Sequence, residues 1–522
     1  MSASMSAGVS SSWRLATIAG CVVALGLAFF TRGHLSGSDE LNLYETTRSL
    51  AEQGTLAIPR VPNARTGADG RIYSLYSVGP AVLAIPFYWA GRAAEAVLPS
   101  GVTRALAGEP MERGVRVWSG ETSIFSVMLI GPAFAGLVVA LFLLIQRELG
   151  VSPRSALVAS LLLGATTHLA LLSSFLLRHL FEGAAVLAGF LLLLRWRRSG
   201  RRSLLFWGTL CASLTLLARL PAALAAVGFG VWVAPVLLGR LRTLPSPAEK
   251  IRELAALAAP VAIVLAAHMV SNWVRWERLL FSPMTDEQSR FPYAFWYAAW
   301  GFLLSPGFSI FAFSPLLLLL PWAFPGFFRR HPDEARMTLV VFASFVLVLS
   351  FYDGWTGLWA APGPRYLFVP MLLLMLPLGG WLDDHATRRA RAAALLLAAL
   401  GLFVQISLLT THMGEIAKLH GWPDFVPQWG FLFVPDGSSP IPAAASAMLS
   451  GAHLDSWVIR LARGWPGHLA APGAALGVTL AWLAGLTALG MHLRRVLLAE
   501  ERAERQEGSG RGGSGHQAEP AS

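Results

Sequence analysis

LATIAGCVVALGLAFFTRGHLSGSDELNLYETTRSL, residues 15–50, joins a long apolar run to a polar segment that contains two adjacent acids, Asp39 and Glu40. About 20 apolar residues in a helix cross a bilayer, so we predict a first membrane span over residues 15–31. Arg14 resembles the start of a signal peptide, but no small-residue cleavage site follows the run, so we predict an uncleaved span. The two carboxylates then lie directly at the mouth of a membrane helix.

The composition of the whole chain has the same membrane character. Of 522 residues, 55% are hydrophobic and 14% are charged, and the mean hydropathy is +0.55. Soluble domains carry about 25% charged residues. We therefore predict an all-α, polytopic membrane protein with about twelve transmembrane helices and a large first extracytoplasmic loop that carries interfacial helices. The predicted spans are approximately 15–31, 117–145, 155–172, 180–195, 203–218, 221–239, 253–273, 310–328, 337–351, 366–382, 392–411 and 469–492.

The charge distribution gives this fold an orientation. The net charge of +11 lies in short clusters between apolar runs, such as RWRRSGRR at 195–202, which indicates basic inner loops and no nucleic-acid-binding surface. We predict a multi-pass protein of the bacterial inner (plasma) membrane with both termini in the cytoplasm. Residues 1–495 form the predicted transmembrane domain, with outer loops at 32–116 and 412–468, and residues 496–522 form a cytoplasmic, disordered tail.

The first outer loop contains two helical segments separated by a turn-rich stretch. Residues 40–52 have one apolar face, and we expect Ser36 or Ser38 to cap this helix and Gly54 to end it. Residues 81–98 are apolar but contain a proline and are followed by charges, which is typical of a helix lying on the membrane surface. Acids near a helix N-terminus suit the helix dipole, which is the structural explanation of the acid pair.

Four further features of the sequence follow one another in order along the predicted outer side. They are SDELNLYETTRSLAEQG (38–54), IYSLYSVGPAVLAIPFY (72–88), FLLSPGFSIFAFSPLLLL (302–319) and GWTGLWAAPGPRYLFVPMLLL (354–374). Together they resemble the GT-C superfamily of integral-membrane glycosyltransferases, over roughly residues 32–412. The nearest in pattern are bacterial relatives of the protein mannosyltransferases and the lipid A aminoarabinose transferases.

The resemblance implies a particular reaction. The donor would be a sugar linked to a polyprenyl phosphate, the acceptor a lipid, glycan or protein, and transfer would take place on the outer face beside membrane lipids, with a loop-one Asp as general base. Many bacterial members carry a Lys where Leu75 stands in this chain. A phosphate contact expected from the family is therefore missing here.

The chemistry of the residues leads to the same candidates. Sugar transfer from a lipid phosphate needs a base near the acceptor and cations that stabilise the phosphate leaving group. Asp39 is the candidate base, and Glu40 is either a second catalytic acid that orients the acceptor or only a first-turn helix acid. Arg365, followed by Tyr366 in the GPRY stretch, is the candidate phosphate ligand. The alternatives for this arginine are an ion pair with Asp353 and a contact with lipid headgroups.

Other substrate-binding candidates lie on the same predicted side. Arg178 and Glu182 flank His179 and either contact substrate or pair with each other at i,i+4 spacing. Arg219 lies at membrane depth, where ionisable groups are costly and often functional; the alternative is snorkelling to the interface. The substrate-binding set is completed by Tyr73, Tyr76 and Asp353. Residues expected to serve mainly as interface anchors or in loop packing are Asn272, Trp273, Arg275 and His412.

No cofactor is expected from the sequence. No group of His, Asp or Glu has the spacing of a metal site, although Asp39 and Glu40 sharing a divalent ion with a distant acid remains an alternative. Cys21 and Cys211 both lie inside apolar runs, so neither a disulfide framework nor a cysteine metal site is expected.

Two other functions are compatible with a polytopic chain. A secondary transporter would fit the number of spans, but transporters of this size usually contain internal repeats with matching broken helices, and the two halves of this chain do not correspond. A polysaccharide polymerase or lipid-carrier ligase also has large outer loops. The acid pair after the first span favours the lipid-linked sugar transferase.

Overall fold

The computed structural model describes residues 2–98, 102–103, 106, 121–176, 178–280, 294–352, 354–356, 362–384, 387–420, 439–463 and 471–512. Nearly all regular structure in these ranges is helical. The first three helices are α1 (Ser2–Ala28), α2 (Ser38–Gln53) and α3 (Gly79–Val97), and a hairpin of β1 (Ala64–Thr66) and β2 (Ile72–Ser74) lies between α2 and α3. The later α-helices are α4 (Thr122–Met128), α5 (Ile130–Glu148), α6 (Pro153–Thr166), α7 (His168–Ser173), α8 (His179–Ser199), α9 (Arg202–Ser213), α10 (Ala225–Thr243), α11 (Pro247–Trp276), α12 (Phe295–Leu304), α13 (Ile310–Phe313), α14 (Leu320–Arg330), α15 (Pro332–Leu349), α16 (Phe368–Leu374), α17 (Pro377–Asp384), α18 (Arg388–Thr410), α19 (Met413–Leu419), α20 (Pro440–Ser450), α21 (Trp457–Arg463) and α22 (Ala471–Gly512).

The prediction of a nearly all-α, polytopic membrane chain is confirmed. Within the described residues, seven helical stretches are long and apolar enough to cross a bilayer: Thr122–Glu148, His179–Ser199, Pro221–Thr243, Pro247–Trp276, Arg365–Asp384, Arg388–Thr410 and Gly473–Gln506. The other predicted spans coincide with shorter or interrupted helices. The segment predicted at 310–328, for example, is divided into α13, a 3-10 turn at Pro315–Leu319 and α14, because a proline ring removes a backbone donor and clashes with the preceding turn.

The predicted interfacial helix packs inside loop one. The apolar side of α2, with Leu41 and Tyr44, joins Ala84 and Tyr88 of α3 and Val127 of α4 in one buried cluster. Helix α3 is not among the stretches that meet the length and hydropathy of a span. Ala84 and Tyr88 of this helix are buried, whereas Val82, Leu83 and Trp89 are exposed, as expected of a helix that lies on a membrane surface.

The sequence predicted the C-terminal end of α2 but not the interaction that caps its N-terminal end. Gly54 ends the helix at φ +67°, in the left-handed conformation that glycine adopts without strain, as expected. At the start, neither predicted serine provides the cap. The Glu40 side chain accepts from the backbone N–H groups of Ser36 (2.7 Å) and Gly37 (3.1 Å) instead.

The C-terminal helix differs from the prediction of a disordered tail from residue 496. Helix α22 continues to Gly512. Arg147, at the end of α5, pairs with Glu500 at 3.3 Å and with Glu504, and Ser12 of α1 donates to Glu500 at 2.7 Å. These contacts hold the charged extension of α22 against α1 and α5. The composition of this segment alone did not predict them.

Candidate functional site

Asp39 lies in the first turn of α2 with its two carboxylate oxygens in different surroundings. Oδ1 accepts a short hydrogen bond from the Tyr76 hydroxyl. Oδ2 lies 3.6 Å from Nη2 of Arg178, the residue directly before α8, and the side chain is 26% exposed. One oxygen is thus held by a neutral donor, while the other faces a cation beyond hydrogen-bond distance and remains able to accept a proton.

Tyr76 is fixed by the end of helix α11. Nη1 of Arg275 donates to the carbonyl oxygens of Ser74 (3.0 Å) and Tyr76 (2.8 Å), and the Arg178 guanidinium lies 4.2 Å from the centroid of the Tyr76 ring. Burial, with the charge of Asp39 second, raises the pKa of Tyr76 well above its ordinary value. The hydroxyl therefore stays protonated and donates to Asp39.

Glu40, the second acid of the pair, performs a different task. Its Oε2 binds the N–H groups at the start of α2, and its Oε1 accepts from the N–H of Leu176, between α7 and α8, at 2.8 Å. The residue is 3% exposed, and burial raises its pKa against the opposing effect of these backbone hydrogen bonds. Since both oxygens are already occupied, the geometry favours the structural explanation of Glu40 and differs from its prediction as a catalytic acid.

Arg219 forms a second charged group beside the first. It lies between two short 3-10 turns, Leu214–Leu217 and Leu220–Leu224, with Nη1 2.5 Å from Nε2 of His179 and Nε 3.5 Å from Oε1 of Glu182. Its guanidinium lies 4.3 Å from the centroid of the Tyr366 ring. The predicted i,i+4 pairing on α8 is replaced by two other ion pairs, because Arg178 lies with Asp39 and Glu182 lies with Arg219.

Arg365 completes the set of cations. Gly363 has a φ of +98°, and a Cβ at this position would lie 2.6 Å from Phe313 and 2.9 Å from His168, so only glycine permits this turn. Arg365 follows in a 3-10 turn; it is 8% exposed and its Nε has no hydrogen-bond partner. Within the described ranges no carboxylate lies at ion-pair distance from it, and its predicted alternative partner, Asp353, lies outside those ranges.

Positive charge exceeds negative charge in this group. Three arginines (178, 219 and 365) face two carboxylates (Asp39 and Glu182), and His179 lies within electrostatic range of all three arginines. Buried cations without a full complement of acids are costly unless an anion joins them. The arrangement is therefore suited to a phosphate.

An apolar cavity of about 350 Å³ borders the same region. Its lining includes Val186 of α8, Thr215 and Ala222 of the two turns around Arg219, and Phe229 of α10. Because α8 and α10 both run inward from the charged group, the cavity extends from the two turns that flank Arg219 into the membrane-spanning part of the protein.

No family model and no curated protein sequence matches the chain. Among solved structures, it is similar to ArnT from Cupriavidus metallidurans in the apo state, at 14% identity over 94% of this chain and 74% of that one, with a TM-score of 0.49. It is also similar to the archaeal oligosaccharyltransferase AglB from Archaeoglobus fulgidus, in complex with an inhibitory peptide and a dolichol-phosphate, at 13% identity over 83% of this chain and 59% of that one, with a TM-score of 0.43.

The structure separates the predicted site residues into two sets. It brings Asp39, Tyr76, Arg178, His179, Glu182, Arg219, Arg365 and Tyr366 together. Tyr73 is not part of this group: its hydroxyl donates to Asp69 at 2.7 Å within the hairpin, and its ring packs on Trp276. Leu75, where the sequence resemblance predicts a missing phosphate contact, is 6% exposed and provides no charge.

Sequence reasoning undervalued two residues. Arg275 and Asn272 were expected to be interface anchors, but Nη2 of Arg275 donates to Oδ1 of Asn272 at 3.1 Å. This hydrogen bond orients the guanidinium whose Nη1 binds the Tyr76 carbonyl oxygen. Trp273 is 54% exposed and fits the predicted anchor. In the sequence, the feature that indicates this contact is an arginine in the last turn of an apolar span, one helical turn after an asparagine.

Proposed function

We propose that this protein is a glycosyltransferase that moves a sugar from a polyprenyl-phosphate-linked donor to an acceptor outside the cytoplasm, with Asp39 as general base. The observation that carries the proposal is a partly exposed carboxylate, Asp39, beside a group of three arginines, with an apolar cavity lined by the turns that flank Arg219. The carboxylate suits an acceptor, the arginines suit a phosphate, and the cavity suits a lipid chain.

The donor would bind with its phosphate on the arginines. Arginine binds phosphate oxygens through a planar fork of N–H groups, and Arg365 is the cation of this group with an unpartnered buried Nε. Arg219 lies between the two turns that line the cavity, so a phosphate held there would leave its polyprenyl tail beside α8 and α10. Leu75 supplies no charge. Arg365 and Arg219 would therefore provide the phosphate contact that the Lys is expected to provide in the family that the sequence resembles.

The base would act on the opposite side of the sugar. An acceptor hydroxyl or amine attacks the anomeric carbon, the bond from that carbon to the phosphate oxygen breaks, and the acceptor proton passes to Oδ2 of Asp39. The arginines stabilise the negative charge that develops on the departing phosphate. Tyr76 holds Oδ1 and so fixes the direction in which Oδ2 points.

The direction of the helices supports an outer location for this chemistry. Helix α8 begins in the site, at His179, and ends in a basic cluster in which Arg195 and Arg198 pair with Glu148 and Arg197 pairs with Asp333. The site and the basic cluster thus lie at opposite ends of the same span. By the positive-inside rule the basic ends are cytoplasmic, and the site faces outward.

Cysteine labelling tests this orientation. In a background without Cys21 and Cys211, a membrane-impermeant maleimide added to intact cells is expected to label Ala68→Cys in the hairpin turn and Ser446→Cys in α20. It is expected to label Ala248→Cys at the start of α11 only after the membrane is opened. All three positions are exposed, so accessibility alone does not distinguish them. Labelling of position 248, and not 68, in intact cells would overturn the orientation.

Lipid extraction and transfer assays test the donor. The purified protein is expected to carry polyprenyl phosphate that mass spectrometry detects, and to release polyprenyl phosphate from a polyprenyl-phosphate sugar when membrane acceptors are added. A nucleotide sugar alone should not support transfer. Purified protein that neither retains nor binds any polyprenyl phosphate, with its fold intact, would contradict the proposal.

A further inference from the structure

A second polar group, distinct from the candidate active site, lies where three distant parts of the chain meet. His34 follows α1, His412 follows α18, and Asp455 lies between α20 and α21. One potential ligand atom from each lies within 4.8 Å of the other two. The three residues are 3%, 0% and 0% exposed, so the group is fully enclosed.

The contacts within the group leave one imidazole nitrogen without a hydrogen-bond partner. Nε2 of His34 lies 2.8 Å from Oδ2 of Asp455, and the rings of His34 and His412 are stacked with centroids 5.4 Å apart and an interplanar angle of 12°. Nε2 of His412 is buried and has no hydrogen-bond partner. Leaving a buried imidazole nitrogen unpaired is costly, which indicates that a ligand belongs there.

The neighbours of these three side chains are arranged as supports. Oδ1 of Asp455 accepts from Nη1 of Arg460 at 2.6 Å, which leaves Oδ2 for the group. Nδ1 of His34 lies 3.4 Å from Oγ of Ser36. Metal-bound imidazoles and carboxylates commonly have their remaining atoms held in this way.

His412 needs one adjustment to act as a ligand. The Glu415 N–H lies 3.1 Å from Nδ1 of His412, whereas ligation through Nε2 requires the proton on Nδ1. The same N–H also donates to the His412 carbonyl oxygen at 3.0 Å. The Nδ1 contact can therefore open while the Glu415 N–H keeps a partner.

We propose that His34, His412 and Asp455 bind one divalent metal ion, with zinc as the best match. Two imidazoles and one carboxylate are a donor set that zinc accepts, and a water molecule would complete a tetrahedral site. When the metal binds, the proton between Nε2 of His34 and Oδ2 of Asp455 is released, and both of these atoms coordinate the metal. The ion would fasten the chain before α2 to the end of α18 and to the last outer loop, so that His34 is held five positions before Asp39.

Metal titration of matched histidine variants tests this site. After removal of metal with a chelator, the full-length protein in detergent is expected to bind one equivalent of Zn²⁺ and to melt at a higher temperature with zinc than without it. His412→Ala is expected to weaken zinc binding about 100-fold, since one of three ligands is lost. This variant should fold, because it removes only the stacking on His34 and one hydrogen bond whose donor keeps a carbonyl oxygen as its partner.

His453→Ala is the matched control. His453 lies in the same region and pairs with Glu415 at 2.5 Å, outside the proposed ligand set, so this variant should bind zinc like the unaltered protein. Asp455→Asn provides a second ligand variant, and Co²⁺ should give the visible spectrum of a tetrahedral site that both ligand variants lose. Absence of stoichiometric zinc binding by the unaltered protein, or equal binding by His412→Ala and His453→Ala, would overturn the proposal.

Discussion

Asp39→Asn is expected to lower the rate of sugar transfer at least about 100-fold, because an amide cannot take the acceptor proton and general-base catalysis contributes 10²–10⁴-fold. The amide retains the size of the side chain and its carbonyl oxygen can still accept from Tyr76, so the fold around α2 should persist. The measurement is single-turnover transfer from a polyprenyl-phosphate sugar, with donor binding measured separately. Donor affinity should change far less than the rate, since the proposed phosphate position is on the arginines and not on Asp39.

The neighbouring acid supplies the control. Glu40→Gln makes the same chemical change one residue away, but there it places an amide against three backbone N–H donors. We expect a loss of about 1–3 kcal/mol in the free energy of unfolding, with transfer per folded molecule close to that of the unaltered protein. Full turnover in Asp39→Asn, together with an inactive but stable Glu40→Gln, would exchange the roles of the two acids.

The second large effect is expected at Arg365. Arg365→Ala should weaken binding of the lipid donor about 30-fold or more, because a charge-assisted contact with phosphate in a buried site is worth about 2 kcal/mol or more. Arg365→Lys should recover only part of this affinity, since an ammonium group has the charge but lacks the planar fork. The measurement is equilibrium binding of a polyprenyl phosphate in detergent micelles or nanodiscs.

Arg336→Ala is the matched control for this change. Arg336 is 61% exposed and lies near the N-terminus of α15, at the end of the molecule predicted to be cytoplasmic. Its loss should leave donor affinity unaltered. If Arg365→Ala bound the donor as tightly as the unaltered protein while Arg219→Ala or Arg178→Ala did not, the phosphate position would move to those residues.

The sequence predicted well where the determining interactions are local. An apolar run of span length determines a membrane helix by its own hydropathy, and Gly54 ends α2 by its own backbone preference, so both could be read without a structure. The same local reasoning found the GPRY turn, because Gly363 and its flanking prolines determine the path of the chain before Arg365.

Local reasoning failed where partners come from distant parts of the chain. The spacing of Arg178 and Glu182 predicted an ion pair within one helix. Instead, Arg178 pairs with Asp39, 139 positions earlier in the chain, and Glu182 pairs with Arg219. Glu40 looked like the twin of Asp39, and only the N–H of Leu176, brought near by packing, shows that it is a structural anchor. The proline breaks in the segment predicted at 310–328 also needed the packed structure to reveal how that span divides.

The sequence by itself determined that this is a helical membrane protein with an acid pair after its first span and an arginine after a rigid turn, because hydropathy and backbone preference are properties of short stretches. Only the tertiary structure decided which acid of the pair lies beside Arg178, which tyrosine holds it, and that His34 meets His412 and Asp455. Those relations join residues tens to hundreds of positions apart. They depend on which helix ends are packed together, and that is set by the burial of whole helical faces and not by any single stretch.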